Sequence, residues 1–186
     1  MIQIRERQFD DRSLLRFAEE VIEAVRPAGA RVLVNDRLDV ALASGADGVH
    51  LKSDGPPVPD VRRMVPEDFT IGRSVHSDGE ARAVQSAGGC DYLLFGTLFH
   101  SASKPDDHPL AGLEGLRRTC DAVSLPVIAI GGISLRRVPE IVAAGASGIA
   151  AISLFAEAAD IAALTAAVRD ALTPTQGSVT LERSDD

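Results

Sequence analysis

A glycine-led turn recurs three times along this 186-residue chain, each time after a helical stretch and before an apolar run. The turns read Gly-Ala-Asp at 45–47, Gly-Gly-Cys-Asp at 88–91 and Gly-Ala-Ser at 145–147. A glycine just past a helix end adopts the left-handed backbone that closes the last turn, so each of these marks a helix giving way to a strand. Repeated hand-over of this kind implies (βα) units, whose strands run parallel and are covered on both faces. Apolar runs rich in β-branched residues occupy 2–5, 31–34, 48–51, 70–74, 92–96, 127–130 and 148–153. Between them Leu14, Phe17, Ala18, Val21, Ile22 and Val25 follow the three-and-four spacing of an amphipathic helix, and 80–87, 113–122, 135–144 and 160–172 do the same.

Seven such runs predict an α/β fold, a TIM-type (β/α)8 barrel lacking its first βα unit, because a closed barrel of this type has eight strands. The barrel domain is expected over 1–172 and a polar, disordered tail over 173–186. A start placed too far downstream is the expected origin of the missing unit. Two open strand edges would invite self-association, as in a homodimer, or covering by another segment.

The charge balance excludes one class of partner. Lys and Arg total 19 against 27 Asp and Glu, a net −8, which disfavours nucleic acid. Cys90 and Cys120 are too few for a disulfide framework or a zinc site and are expected as buried, reduced thiols. No apolar run approaches the ~20 residues of a membrane span, and the N-terminus has no signal-peptide pattern. A cytoplasmic protein is expected.

In parallel barrels, chemistry gathers where strands end and loops begin. Gly131-Gly132 follows the run 127–130, and Ile152-Ser153 closes the next one. Backbone N–H groups at these two consecutive strand ends can hold a small phosphate. At 71–77, alternation sends Ser74 and His76 one way and Arg73 and Val75 the other. His76 then reaches the barrel mouth, where an imidazole can move protons near neutral pH, unless it is a surface residue beside a helix capped by Ser77. Ser101, Ser103 and Lys104 offer hydroxyls and an ammonium to a phosphate or pyrophosphate, or form a plain polar loop. Gln3, Arg5 and Arg7 share a strand face, and the two arginines can clamp an anion. Asn35 and Asp36 end the second run, either assisting Mg²⁺ or capping a helix.

Taken together, QIRER (3–7), NDRLDVAL (35–42), ADGVHL (46–51), IGRSVHS (71–77), DYLLFGTLFHSASK (91–104), PVIAIGGIS (126–134) and GASGIAAIS (145–153) resemble the thiamine phosphate synthase/TenI family. The resemblance implies a TIM barrel of thiamine biosynthesis that binds a small-molecule thiazole phosphate. It also implies a strand ending in Asp, plus a helix, upstream of QIRER.

Two activities belong to that family. One is a metal-free thiazole tautomerase, in which His76 would relay a proton while a carboxythiazole phosphate is aromatised. The other is a synthase that joins hydroxymethylpyrimidine diphosphate to thiazole phosphate and releases pyrophosphate with Mg²⁺. Its pattern puts a metal-binding aspartate at Asp36 and a second at position 55, where this chain has Gly beside Asp54. Gly55, together with Arg7 and Arg73, makes the tautomerase the leading expectation. The synthase is the alternative, and a non-catalytic phosphate-ligand binder the second alternative.

Overall fold

A computed structural model describes residues 1–100 and 109–173. Seven strands form one sheet: β1 (Ile2–Ile4), β2 (Val32–Asn35), β3 (Gly48–Leu51), β4 (Thr70–Val75), β5 (Tyr92–Phe95), β6 (Val127–Ile130) and β7 (Gly148–Ala150). They pair in sequence order and are parallel throughout. The connections carry helices α1 (Asp11–Val25), α2 (Leu38–Ser44), α3 (Val58–Arg62), α4 (Asp78–Ala87), α5 (Gly112–Ala122) and α6 (Val138–Ala143), and β7 is followed by α7 (Ser153–Ala156) and α8 (Ile161–Leu172). The sheet curls into an open, TIM-like barrel with β1 and β7 at its edges, and no ladder joins these two among the described residues.

Alternation along each strand divides the core. Val32, Val34, Val49, Ile71, Leu93 and Ala129 pack outward against helices, together with Leu14, Ala18 and Ile22 of α1. Leu33, Tyr92 and Leu94 point inward and meet Ile128, Ile130 and Ala150. The amphipathic spacing in α1 is thus satisfied against the sheet, and Asp10 caps the helix by accepting from the Ser13 N–H at 2.7 Å. Gly45 takes the left-handed cap at φ 69°. The aspartates of two hand-over turns also serve the neighbouring strand: Asp47 accepts from the Val32 N–H and Asp91 from the Ile71 N–H, each at 2.7 Å. One side chain thereby ties a helix exit to the start of the preceding strand.

Several local expectations change. The run 148–153 stops being a strand at Ala150, and Ser153 begins α7. The stretch 135–144 opens as a 3₁₀ turn, Leu135–Arg137, before α6. Helix α3 was not expected, since five residues after Pro57 show no helical period. Cys90 is buried, whereas Cys120 is only partly so; both are free, and burial pushes each thiol up to about 11. The expected tail lies outside the described residues beyond Thr173. No described helix is long and apolar enough to cross a membrane.

Candidate active site

The C-terminal ends of the strands surround a cavity of about 630 Å³, large enough for small substrates. Inward-facing positions build it two residues at a time: Gln3 and Arg5 from β1 and just beyond, His50 and Lys52 from β3, Ser74 and His76 from β4. Most of the expected residues converge here. Arg5, Asn35, Ser74, His76, Gly131, Gly132, Ile152 and Ser153 all line the cavity. Arg7 is not among the lining residues, although its charge reaches Arg5. Ser101, Ser103 and Lys104 fall outside the described residues.

His76 is held at two points. Its backbone N–H donates to Glu80 at 2.8 Å, and its Nδ1 donates to the Gly96 carbonyl at 2.7 Å. Nε2 is left as the ring's other hydrogen-bonding atom. Ser77 does cap α4, accepting from the Glu80 N–H, so the capping alternative and the cavity placement of His76 hold together.

The glycine turn after β6 is shaped by its neighbour. The loop after β5 lies directly on it: Leu98 N–H donates to Ile130 O at 3.0 Å and Phe99 N–H to Gly131 O at 3.1 Å. A Cβ on Gly132 would run into the His100 carbonyl oxygen, and its φ of 61° also suits glycine. Arg137 clamps both loops, donating to Gly132 O at 3.1 Å while its guanidinium stacks 3.9 Å from the Phe99 ring centroid.

At the rim, Asp36 has a left-handed backbone (φ 65°), and its carboxylate pairs with the Lys52 ammonium while also accepting from the Lys52 N–H. A Cβ on Gly55 would sit 3.4 Å from Asp36 Oδ1, so position 55 does face this carboxylate but offers it nothing. Asp54 is exposed on the same loop. Arg73 straps that loop down, donating to Ser53 O at 2.7 Å, Pro56 O at 2.8 Å and Gly55 O at 3.2 Å. Arg73→Ala should lower stability by about 1–3 kcal/mol. Amide exchange should quicken over residues 53–57 and not elsewhere, which hydrogen-exchange mass spectrometry reads directly.

Three groups were missed from the sequence: Lys52, His50 and Tyr92. His50 is 1% exposed, with Nδ1 2.9 Å from Tyr92 Oη and Nε2 2.8 Å from Ser74 Oγ. Burial holds its pKa down at about 4; Asp36 pulls it up, and Arg73 and Arg5 push it lower. Burial, and then the nearby Cys90, likewise drive the Tyr92 phenol above its usual range. The available signal was a lone imidazole at an inward position of an otherwise apolar strand.

The implied magnesium ion can be tested against this donor set. Among the described residues no three His, Cys, Asp or Glu side chains are close enough to cage a metal. Asp36 is a single carboxylate at the mouth, neutralised by an ammonium that is half-exposed and able to move. Asp36 therefore offers one oxygen donor to a Mg²⁺ whose other ligands would have to come from water or a bound anion.

The comparisons with known proteins bear on the reaction. The family model described as thiamine monophosphate synthase matches residues 1–155. The thiamine-phosphate synthase of Methanoculleus marisnigri is 45% identical over 171 residues, covering 91% of this chain and 80% of that protein. That of Methanocella arvoryzae is 44% identical over 170 residues, covering 91% and 78%. A solved thiamine phosphate pyrophosphorylase from Pyrococcus furiosus superposes with a TM-score of 0.80 at 34% identity, covering 91% of this chain and 81% of its own.

These relatives overturn the tautomerase expectation, for the enzyme class as well as the function. Part of that expectation rested on Arg73, which straps the 53–56 loop through three backbone carbonyls. By model match, identity and coverage, the chain belongs to the thiamine monophosphate synthase family.

Proposed function

We propose that this chain is a thiamine-phosphate synthase, transferring the pyrimidine methylene group of a hydroxymethylpyrimidine diphosphate to the nitrogen of a thiazole phosphate. The carbon–oxygen bond to the diphosphate breaks, a carbon–nitrogen bond forms, and pyrophosphate leaves. The observation that carries this reading is the 45% identity to a synthase over the stretch that builds the cavity. Two free thiols are in keeping with a cytoplasmic location.

Each end of the cavity has a role in this reading. Backbone N–H groups at Gly131, Gly132, Ile152 and Ser153 hold the thiazole phosphate. Arg5, Lys52, Asn35 and Ser74 face the diphosphate. Burial, then the nearby Arg7 charge, lowers the Arg5 pKa, and among the described residues Arg5 has no carboxylate partner. Such a guanidinium gains most from an incoming anion. His76 offers Nε2 to the reacting pyrimidine or its leaving oxygen. Asp36 would hold Mg²⁺ together with the diphosphate, and the metal supplies neutralisation of the leaving group's charge. Lys52, which pairs with Asp36 here, would be placed to pair with a phosphate oxygen.

The test is pyrophosphate release from the two substrates, with and without EDTA. Release should require Mg²⁺, and Asp36→Asn, which tolerates the left-handed backbone, should lower kcat/KM by about 10²–10³-fold. Release undiminished by both EDTA and Asp36→Asn would defeat the assignment of Asp36. No release, with saturable phosphate-ester binding, would favour the non-catalytic binder.

A further inference from the structure

We propose that His50 is a positioning residue that donates from Nε2 to Ser74 and so aims the Ser74 hydroxyl, as a hydrogen-bond donor, at an anionic oxygen of the bound substrate. The inference rests on the synthase reading only for the identity of that anion, the diphosphate.

The arrangement comes from sheet register. His50 pairs with Gly72, and Gly72 with Tyr92, so the three lie in one row across β3, β4 and β5. Side chains from β3 and β5 would normally be kept apart by the residue between them. Glycine leaves that space open, and the Tyr92 ring fills it, bringing its centroid 5.6 Å from that of His50 with the rings 29° from parallel. Two residues further along β4, Ser74 is on the same face and lines the cavity.

The direction of the hydrogen bonds follows from the donors each group has and from the anion the site takes. A neutral imidazole has one donor and one acceptor nitrogen, and burial keeps His50 neutral. Tyr92 Oη lies 2.9 Å from Nδ1 and, as a hydroxyl, can donate to it or accept from it, so two head-to-tail arrangements are open. An anionic oxygen bound in the cavity beside Ser74 selects the one in which the Tyr92 hydrogen points to His50 Nδ1. With Nδ1 accepting, Nε2 carries the hydrogen and donates to Ser74 Oγ at 2.8 Å. Ser74 accepts, so its own hydrogen is left for the cavity. In the opposite tautomer Ser74 would donate to His50 and present only lone pairs to a site that Arg5 and Lys52 make attractive to anions. No proton changes owner; the chain Tyr92–His50–Ser74 fixes which way a hydroxyl points. Hydrogen bonds arranged head to tail also polarise one another.

The experiment has two readouts. ¹⁵N spectra of the imidazole-labelled enzyme with pyrophosphate bound, with the His50 signals assigned by their loss in His50→Gln, should show hydrogen on Nε2 and none on Nδ1. Calorimetric binding of pyrophosphate should weaken about 10–100-fold in Ser74→Ala, the usual effect of losing a hydrogen bond to a charged acceptor. His50→Leu should weaken it comparably, while His50→Gln, whose amide can still donate to Ser74, should recover most of the affinity. In a Ser74→Ala background, His50→Leu should add less than about twofold, since a residue acting through Ser74 has nothing left to act on. A merely structural role would instead give additive losses. Hydrogen on Nδ1, additive losses, or a wild-type enzyme that binds neither pyrophosphate nor inorganic phosphate would overturn the proposal. Absence of pyrophosphate release with the tautomer and the coupling intact would refute the synthase reading and leave this one standing.

Discussion

Replacing Gly72 by alanine should lower the stability of the fold by about 4 kcal/mol or more. The added Cβ would fall on the Tyr92 ring, against Cζ, Cε1 and Oη, so the substitution inserts a methyl into space that an aromatic ring already occupies. The ring cannot swing away cheaply. Tyr92 is 7% exposed, packs with Leu33 and Leu94 inside the barrel, and its hydroxyl is held by His50. Overpacking a core costs about 1–3 kcal/mol and sometimes more, and here the hydrogen-bonded imidazole would be displaced as well. A loss of about 4 kcal/mol or more is therefore expected, a large share of a typical domain's net stability. Urea unfolding followed by circular dichroism measures it. Combining Gly72→Ala with Tyr92→Leu should regain part of the loss, because the clashing ring atoms are gone. A Gly72→Ala protein as stable as wild type would mean that Tyr92 does not occupy this space.

The second large effect is on stability as a function of pH. Burial holds His50 at about 4, well below the ordinary histidine value of 6.5. Above pH 6.5 it is neutral in both folded and unfolded chains, and its buried, hydrogen-bonded position stabilises the fold in full. As pH falls from 6.5 towards 4, the unfolded chain takes up a proton that the folded chain refuses, so stability falls with pH across that window. A shift of this size corresponds to roughly 3 kcal/mol. Carboxylates with depressed pKa values, such as Asp39 beside Arg37 at about 2, act at lower pH, which separates the two effects. Denaturant midpoints collected from pH 7 to pH 4 should slope steeply in wild type and much less in His50→Gln. Equal slopes in the two proteins would show that His50 titrates normally.

Much of the architecture was legible because it rests on near neighbours in the chain. Glycine at 45, 88 and 145 announces helix ends, and the spacing of Leu14, Ala18 and Ile22 announces the buried stripe of α1. Alternation placed Ser74 and His76 together, and the structure sets both in the cavity. The errors lie where that kind of reasoning has no reach. Arg73 and Arg7 were read as marks of a reaction, yet what a guanidinium does depends on which loop lies within its span. Arg73 grips the 53–56 loop, some twenty residues earlier in the chain. His50 passed unnoticed because its partners, Ser74 and Tyr92, are 24 and 42 residues away.

The sequence by itself determined a parallel, curled sheet with its polar residues at one rim, because helix and strand periods are set by backbone geometry within a few residues. Only the tertiary structure decided which of those polar residues act together. Register brings strands about 5 Å apart without regard to distance along the chain, and the absence of one Cβ at Gly72 lets residues from two non-adjacent strands touch.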